Sequence, residues 1–265
     1  MMLKDNILEY VPERPCPVAS CCFATPTEPV DVKALIPDAN LRRRMGPLLR
    51  LAAACGMAAL GNVNPDNVAG IITSTGLGFM KDTVNFADML IDRNEEMLNP
   101  SPFMQSTFNT VSGYIALLGG IRTYNTAYVH RSGGFAAALT DAMMLVGDGN
   151  VLVGGFDEAS PEVDEYRRKL GCWKRGDFLP LGEGAGFLCL GGGDNGVRIL
   201  GVHSSGSTLE FDRKVLCSSY IDRFGAFFSI LPVVLCSIIG ERSKGRILVV
   251  DDVNPGGPAV LLEID

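Results

Sequence analysis

Val146 to Ser160 reads VGDGNVLVGGFDEAS. Glycines on either side of Asp148 punctuate the chain, and Asn150 to Gly155 then runs short and apolar, as a buried strand does. Upstream, Ser132-Gly133-Gly134 makes a sharp turn into a small-residue helix over Phe135 to Val146, and Ile121 to Val129 alternates as a strand. Downstream, GEGAGFLCL (Gly182 to Leu190) is a glycine turn feeding another buried strand. This β-α-β rhythm predicts an α/β fold with a parallel or mixed sheet covered by helices on both faces.

The flanking chain extends the pattern. Leu41 to Leu60 has helical spacing, Val68 to Phe79 reads as a buried strand ending in a glycine-rich turn, and Asp82 to Asn94 is helical again. Asn99-Pro100-Ser101-Pro102 is expected to break that helix, with a new one over Phe103 to Leu118. Asp164 to Asp177 is charged and reads as a surface loop, and the glycines from 191 to 196 read as a flexible hairpin connection into a strand over Val197 to His203. Arg246 to Asp251 and Pro258 to Ile264 form a terminal pair of strands. Neither a strong repeat nor a long linker interrupts residues 1–265, so one domain is expected, with 1–190 as its N-terminal half and 191–265 as a shorter C-terminal half.

Composition narrows the function. A net charge of −7 gives no reason to expect nucleic acid, because phosphate binding needs a basic excess. Eight cysteines form no C-x-x-C pair and several sit in apolar runs, where thiols behave as buried hydrophobes. With only His130 and His203 as imidazoles, neither a metal site nor a cofactor is expected. Met1 to Pro15 lacks the apolar core of a signal peptide, which places the chain in the cytoplasm. Phe224 to Gly240 is uncharged but too short to span hydrocarbon and carries Pro232, so it is expected to be a buried helix, alone or followed by a strand, and no membrane association follows.

The chemistry-bearing stretch lies between Pro100 and Ser160. A side chain on a strand-to-helix turn points into a cavity at a helix N-terminus, where free N–H groups favour developing negative charge. Acyl-transfer sites use this geometry to hold a thiolate. SPFMQSTFNTVSGYIALLGGIR (Ser101 to Arg122), VGDGNVLVGGFDEAS and LGEGAGFLCL (Leu181 to Leu190) together resemble the β-ketoacyl synthase family, in the family's order and approximate spacing. NPGGPAVLLE (Asn254 to Glu263) is a fainter echo of its closing loop. The resemblance implies a thiolase-like layered αβαβα fold, nearly complete in its N-terminal half and reduced in its C-terminal half.

The departures from the family decide the expected function. Counting back from Gly147-Asp148 puts His130 where the family has its catalytic cysteine, and counting forward from Gly120-Ile121-Arg122 lands on Ser132; neither route yields a thiol. The two C-terminal histidines that the resemblance implies have no counterpart. Loss of groups that act as a unit removes orders of magnitude in rate. The expectation is a non-catalytic, chain-length-factor-like subunit that pairs with an active ketosynthase in fatty-acid or polyketide biosynthesis, the aryl-polyene type included. A homodimer is the other arrangement, and an acyltransferase or thioesterase working through Ser132 or His130 is the alternative activity.

Residue by residue, the resemblance implies a vestigial elbow at His130, Ser132 and Gly133, substrate contacts at Phe103, Asn109 and Phe135, and a partner seam at Tyr124 and Tyr128. Arg42, Arg43 and Arg44, with Arg167, Arg168, Lys169, Lys174 and Arg175, could dock an acidic acyl carrier protein by charge complementarity. Gly182, Gly184 and Gly186 read as a turn and not as a phosphate loop. Asp157 and Glu158 are adjacent on a strand exit, point apart, and are read as structural.

Overall fold

The computed structural model describes residues 9–169, 179–193, 195–205 and 207–265. Nine strands are present among them: β1 Cys16–Ala24, β2 Val68–Thr75, β3 Tyr124–Val129, β4 Asn150–Asp157, β5 Gly184–Leu190, β6 Val197–Ser204, β7 Arg213–Leu216, β8 Gly245–Val250 and β9 Pro258–Ile264. The helices are α1 Val32–Leu35, α2 Ala39–Arg44, α3 Pro47–Leu60, α4 Met80–Asp92, α5 Pro100–Ser106, α6 Thr110–Gly119, α7 Gly133–Leu145, α8 Pro161–Lys169, α9 Ile221–Phe224 and α10 Ile230–Glu241.

The strands form one mixed sheet of order β3-β2-β4-β5-β1-β6-β9-β8-β7. Its halves join through only two residue pairs, Cys16 with Ile199 and Pro17 with Arg198. Period-2 alternation sends side chains of one strand to opposite cores. Ile72, Val151, Val153, Leu188 and Leu190 face α7 and α10, whereas Ile71, Leu152, Phe187 and Cys189 face α3 and α6. Strands β6, β8 and β9 pack Val202, Val249 and Val260 into the same core as α7 and α10, so the two helices lie between the sheet halves. The outer face of β8 and β9 holds a small cluster of Leu248, Val250, Ala259 and Leu261 with Leu200 and Leu209.

Close packing of α10 depends on a missing side chain. A Cβ on Gly186 would stand 2.5 Å from the carbonyl carbon of Pro232, well inside contact distance, so the GEGAG segment works as a strand against which a helix can settle. Pro232 occupies the first turn of α10, where its missing N–H costs nothing. The uncharged segment is thus a helix buried between sheet layers, and among the described residues no helix is long and apolar enough to cross a membrane.

Several sequence expectations are corrected. Leu41 to Leu60 is two helices, because Met45 and Gly46 are extended ahead of Pro47, which starts α3. The prolines at 100 and 102 open α5 behind the Asn99 cap; the break falls at residues 107–109, between α5 and α6. Residues 164–169 of the expected charged loop are the end of α8, with Arg168–Asp164 and Lys169–Glu165 ion pairs at i, i+4 spacing; residues 170–177 lie outside the described residues. The 191–196 segment is no hairpin, since β1 lies between β5 and β6. β1 and β7 have no counterpart in the sequence reading.

Candidate functional site at the strand-to-helix elbow

The C-terminal ends of the parallel strands β2, β3 and β4 converge on one edge of the sheet, and loops there carry groups away from a rigid support. β3 ends at Val129, and His130, Arg131 and Ser132 turn the chain into α7. The Gly134 N–H donates to the His130 carbonyl over 2.8 Å, closing the turn. Arg131 takes φ +34°, a left-handed conformation that costs a non-glycine residue roughly 1–3 kcal/mol. The His130 imidazole lies across Gly133, with Nδ1 2.5 Å from the place a Cβ would occupy, so this position admits only glycine while the ring stays there.

His130 and Arg131 are exposed, whereas Ser132 is only 8% exposed and does not cap α7. An open cavity of about 520 Å³ sits beside the turn, lined by Gly76, Leu77, Val129, His130, Arg131 and Tyr166. Among the described residues, neither a cysteine nor a second imidazole lines it. His203 lies in β6 opposite Ala259, and burial pushes its pKa down. The elbow and His203 therefore belong to different halves of the sheet.

Behind the elbow the space is filled. Asp157, buried at the end of β4, accepts from Thr75 Oγ1 and the Gly76 N–H at 2.9 Å each and from the Ser229 N–H at 2.8 Å. Burial pushes its pKa up while these hydrogen bonds oppose the shift. The network ties the β2 loop to the start of α10. Phe228 then presses its ring on Gly76, and the Arg167 guanidinium stands 5.0 Å from that ring's centre while donating to the Ala226 carbonyl. Asn254 Nδ2 donates to the Phe227 carbonyl at 3.2 Å and to the carboxylate of Asp251, whose burial raises its pKa to about 7.

Glu158 points elsewhere, as its position next to Asp157 on a strand exit requires. Its Oε1 accepts the Lys81 N–H at 2.6 Å in the first turn of α4. Burial, with repulsion from Asp82 and Glu183, raises its pKa to about 7. The thiols are likewise spent on structure: Cys55 Sγ donates to the Cys22 carbonyl at 3.2 Å and Cys236 Sγ to the Phe187 carbonyl at 3.3 Å. Residues 174 and 175, named in the sequence reading, lie outside the described residues.

Among the described residues β3 is the edge strand of the sheet and pairs with β2 alone. Tyr124 and Tyr128 both donate their hydroxyls to Asp141 Oδ2, at 3.0 and 3.1 Å; burial and this carboxylate push both pKa values up, that of Tyr128 to about 12. Val129 on this strand, Leu117 on α6 and Met144 on α7, the two helices packed against it, are exposed, as are Phe103 and Met104 on α5 and Phe108 just after it. Exposed apolar side chains beside an open strand edge make this edge a candidate interaction surface.

The structure does not gather the expected substrate contacts. Phe103 is exposed on α5 against Phe86, Phe135 is buried in the central core, and Asn109 lines a separate cavity of about 400 Å³ that also takes in Arg44, Gln105 and Leu117. Arg42 is committed to the carbonyls of Ile36 and Pro37, while Arg43 and Arg44 are exposed. Arg167 is fully buried, so a docking role for it is withdrawn. Arg131, Tyr166 and Phe228 were missed: Arg131 lies in the quoted turn, but no local signal places Tyr166 or Phe228 beside it.

The sequence profile of the β-ketoacyl synthase N-terminal domain matches residues 18–170. No curated protein matches the chain. Among solved structures the chain is similar to the ishigamide ketosynthase/chain length factor, at 14% identity and TM-score 0.68 over 89% of this chain and 85% of that one. It is also similar to a ketosynthase (ApeO) in complex with its chain length factor (ApeC) from Xenorhabdus doucetiae, at 16% identity and TM-score 0.62 over 95% and 100%. A third is a type II polyketide synthase acyl-carrier protein in complex with its ketosynthase bound to a hexaketide, at 14% identity and TM-score 0.68 over 96% and 100%. At these identities the likeness establishes the fold, the thiolase-like α/β arrangement expected above.

Proposed function

The chain belongs to the β-ketoacyl synthase family, and from that premise we propose that it is a non-catalytic, chain-length-factor-type subunit that pairs with an active ketosynthase. The observation that carries this is the edge strand β3, with the exposed Val129 on it and the exposed Leu117 and Met144 on α6 and α7, the helices packed against it. An unpaired edge strand inside an apolar surface is stabilised by a second chain that supplies the missing strand and covers the side chains. The elbow agrees with this role, since neither His130 nor Ser132 brings a thiol to it and the space behind it is packed by Phe228 and Arg167. The solved complexes named above join a ketosynthase to a chain length factor or to an acyl-carrier protein; in this chain the exposed Arg43 and Arg44 would serve the carrier.

We place the pair in fatty-acid or polyketide biosynthesis, in the cytoplasm, with residues 1–265 acting as one domain. Co-expression with ketosynthases encoded beside this chain, followed by size-exclusion chromatography, is expected to yield a one-to-one complex. A chain that elutes as a monomer beside each of them would overturn the reading. The acyltransferase or thioesterase alternative gains nothing here, because Ser132 is buried, His130 is exposed, and no hydrogen bond joins them.

A further inference from the structure

Three residues with hydrogen-bond donors in their side chains line the elbow cavity. Among the described residues no acidic side chain lines it, in a chain whose net charge is −7. Arg131, His130 and Tyr166 line it, and their exposed side chains make no hydrogen bond or ion pair with another described residue. Glu162 lies one turn before Tyr166 on α8 but does not reach the cavity wall. Leu77 and Val129 supply the apolar part of its wall.

We propose that this cavity binds a small oxyanion, a phosphate ester or a carboxylate, through Arg131 with His130 and Tyr166. Arg131 offers the planar fork that matches either group in two parallel hydrogen bonds. Arg131, with its left-handed backbone, lies at the point where the strand turns into the helix and lines the cavity. One further feature favours an anion there: α7 begins two residues later and points its thirteen-residue dipole at the turn. The site replaces covalent capture by charge recognition, and it does not depend on the pairing proposed above.

The test uses the full chain and its two imidazoles, read separately by NMR. Methyl phosphate, malonate and the neutral malonamide are titrated in turn. At least one anion is expected to shift the His130 signals saturably and leave those of His203 in place, with malonamide inert; which anion binds tighter assigns phosphate ester or carboxylate. Arg131→Gln is expected to weaken binding at least tenfold, Arg131→Lys and Tyr166→Phe by a few fold, and Arg43→Gln not at all. Absence of saturation with both anions, or equal binding by the folded Arg131→Gln and Arg131→Lys variants and the parent chain, would discard the site. Co-elution with a ketosynthase is scored on the same samples, so a failed pairing with binding intact removes the subunit role and leaves the site standing.

Discussion

The His130 ring and Gly133 occupy each other's space: Nδ1 lies 2.5 Å from where a Cβ on residue 133 would stand. Gly133→Ala must therefore expel the exposed ring from its place, at a cost of no more than about 1 kcal/mol. Urea unfolding should report that loss, and adding His130→Ala to the same chain should recover most of it. Equal losses in the single and double variants would mean that the ring does not rest on the glycine.

Glu158 links stability to pH. Its folded pKa of about 7 exceeds the ordinary carboxylate value, so between those two values the folded chain holds a proton that the unfolded chain has released. The stabilisation is complete below pH 4.5 and fades as pH rises towards 7. Glu158→Gln keeps an acceptor for the Lys81 N–H and removes the titration, so its urea midpoint should vary less between pH 5 and pH 8 than that of the parent. Asp251, also raised to about 7, should leave a residual slope of the same sign.

Leu117, 68% exposed on α6, separates folding from pairing. Leu117→Asp should alter the chain's own stability by no more than about 0.5 kcal/mol. Co-purification with the ketosynthase should fall markedly, because a charge at the core of an apolar interface must be desolvated. Undiminished pairing would remove this face from the interface.

Intact-mass measurement after exposure to acyl thioesters is expected to show no acyl adduct. The buried Ser132 hydroxyl lacks a base within hydrogen-bond reach, and activation of a hydroxyl nucleophile requires one. An adduct that disappears in Ser132→Ala would reinstate acyl transfer at this elbow.

The elbow was legible in the sequence because its signals are local. Ser132-Gly133-Gly134 before a small-residue run must turn, and NVLVGG bounded by glycines must be a buried strand. β1 left no such signal: CPVASCCFA mixes small polar and apolar residues, and only its insertion between β5 and β6 makes it a strand. The same insertion abolishes the hairpin expected at 191–196, since adjacency along the chain does not guarantee adjacency in a sheet. Phe103, Asn109 and Phe135 dispersed for a related reason, as each belongs to a different helix or cap and their separation depends on how those elements pack.

Residue order alone determined the α/β rhythm, the position of the strand-to-helix turn and the absence of a thiol at it, because each rests on neighbours within a few positions. Tertiary structure decided what surrounds that turn. Phe228, just before α10, and Arg167, on α8, reach its back from segments far along the chain, Tyr166 joins Arg131 in lining a cavity, and β3 becomes an open edge only once the sheet order is set. Such relationships arise from burial and pairing between distant segments, and no local pattern encodes them.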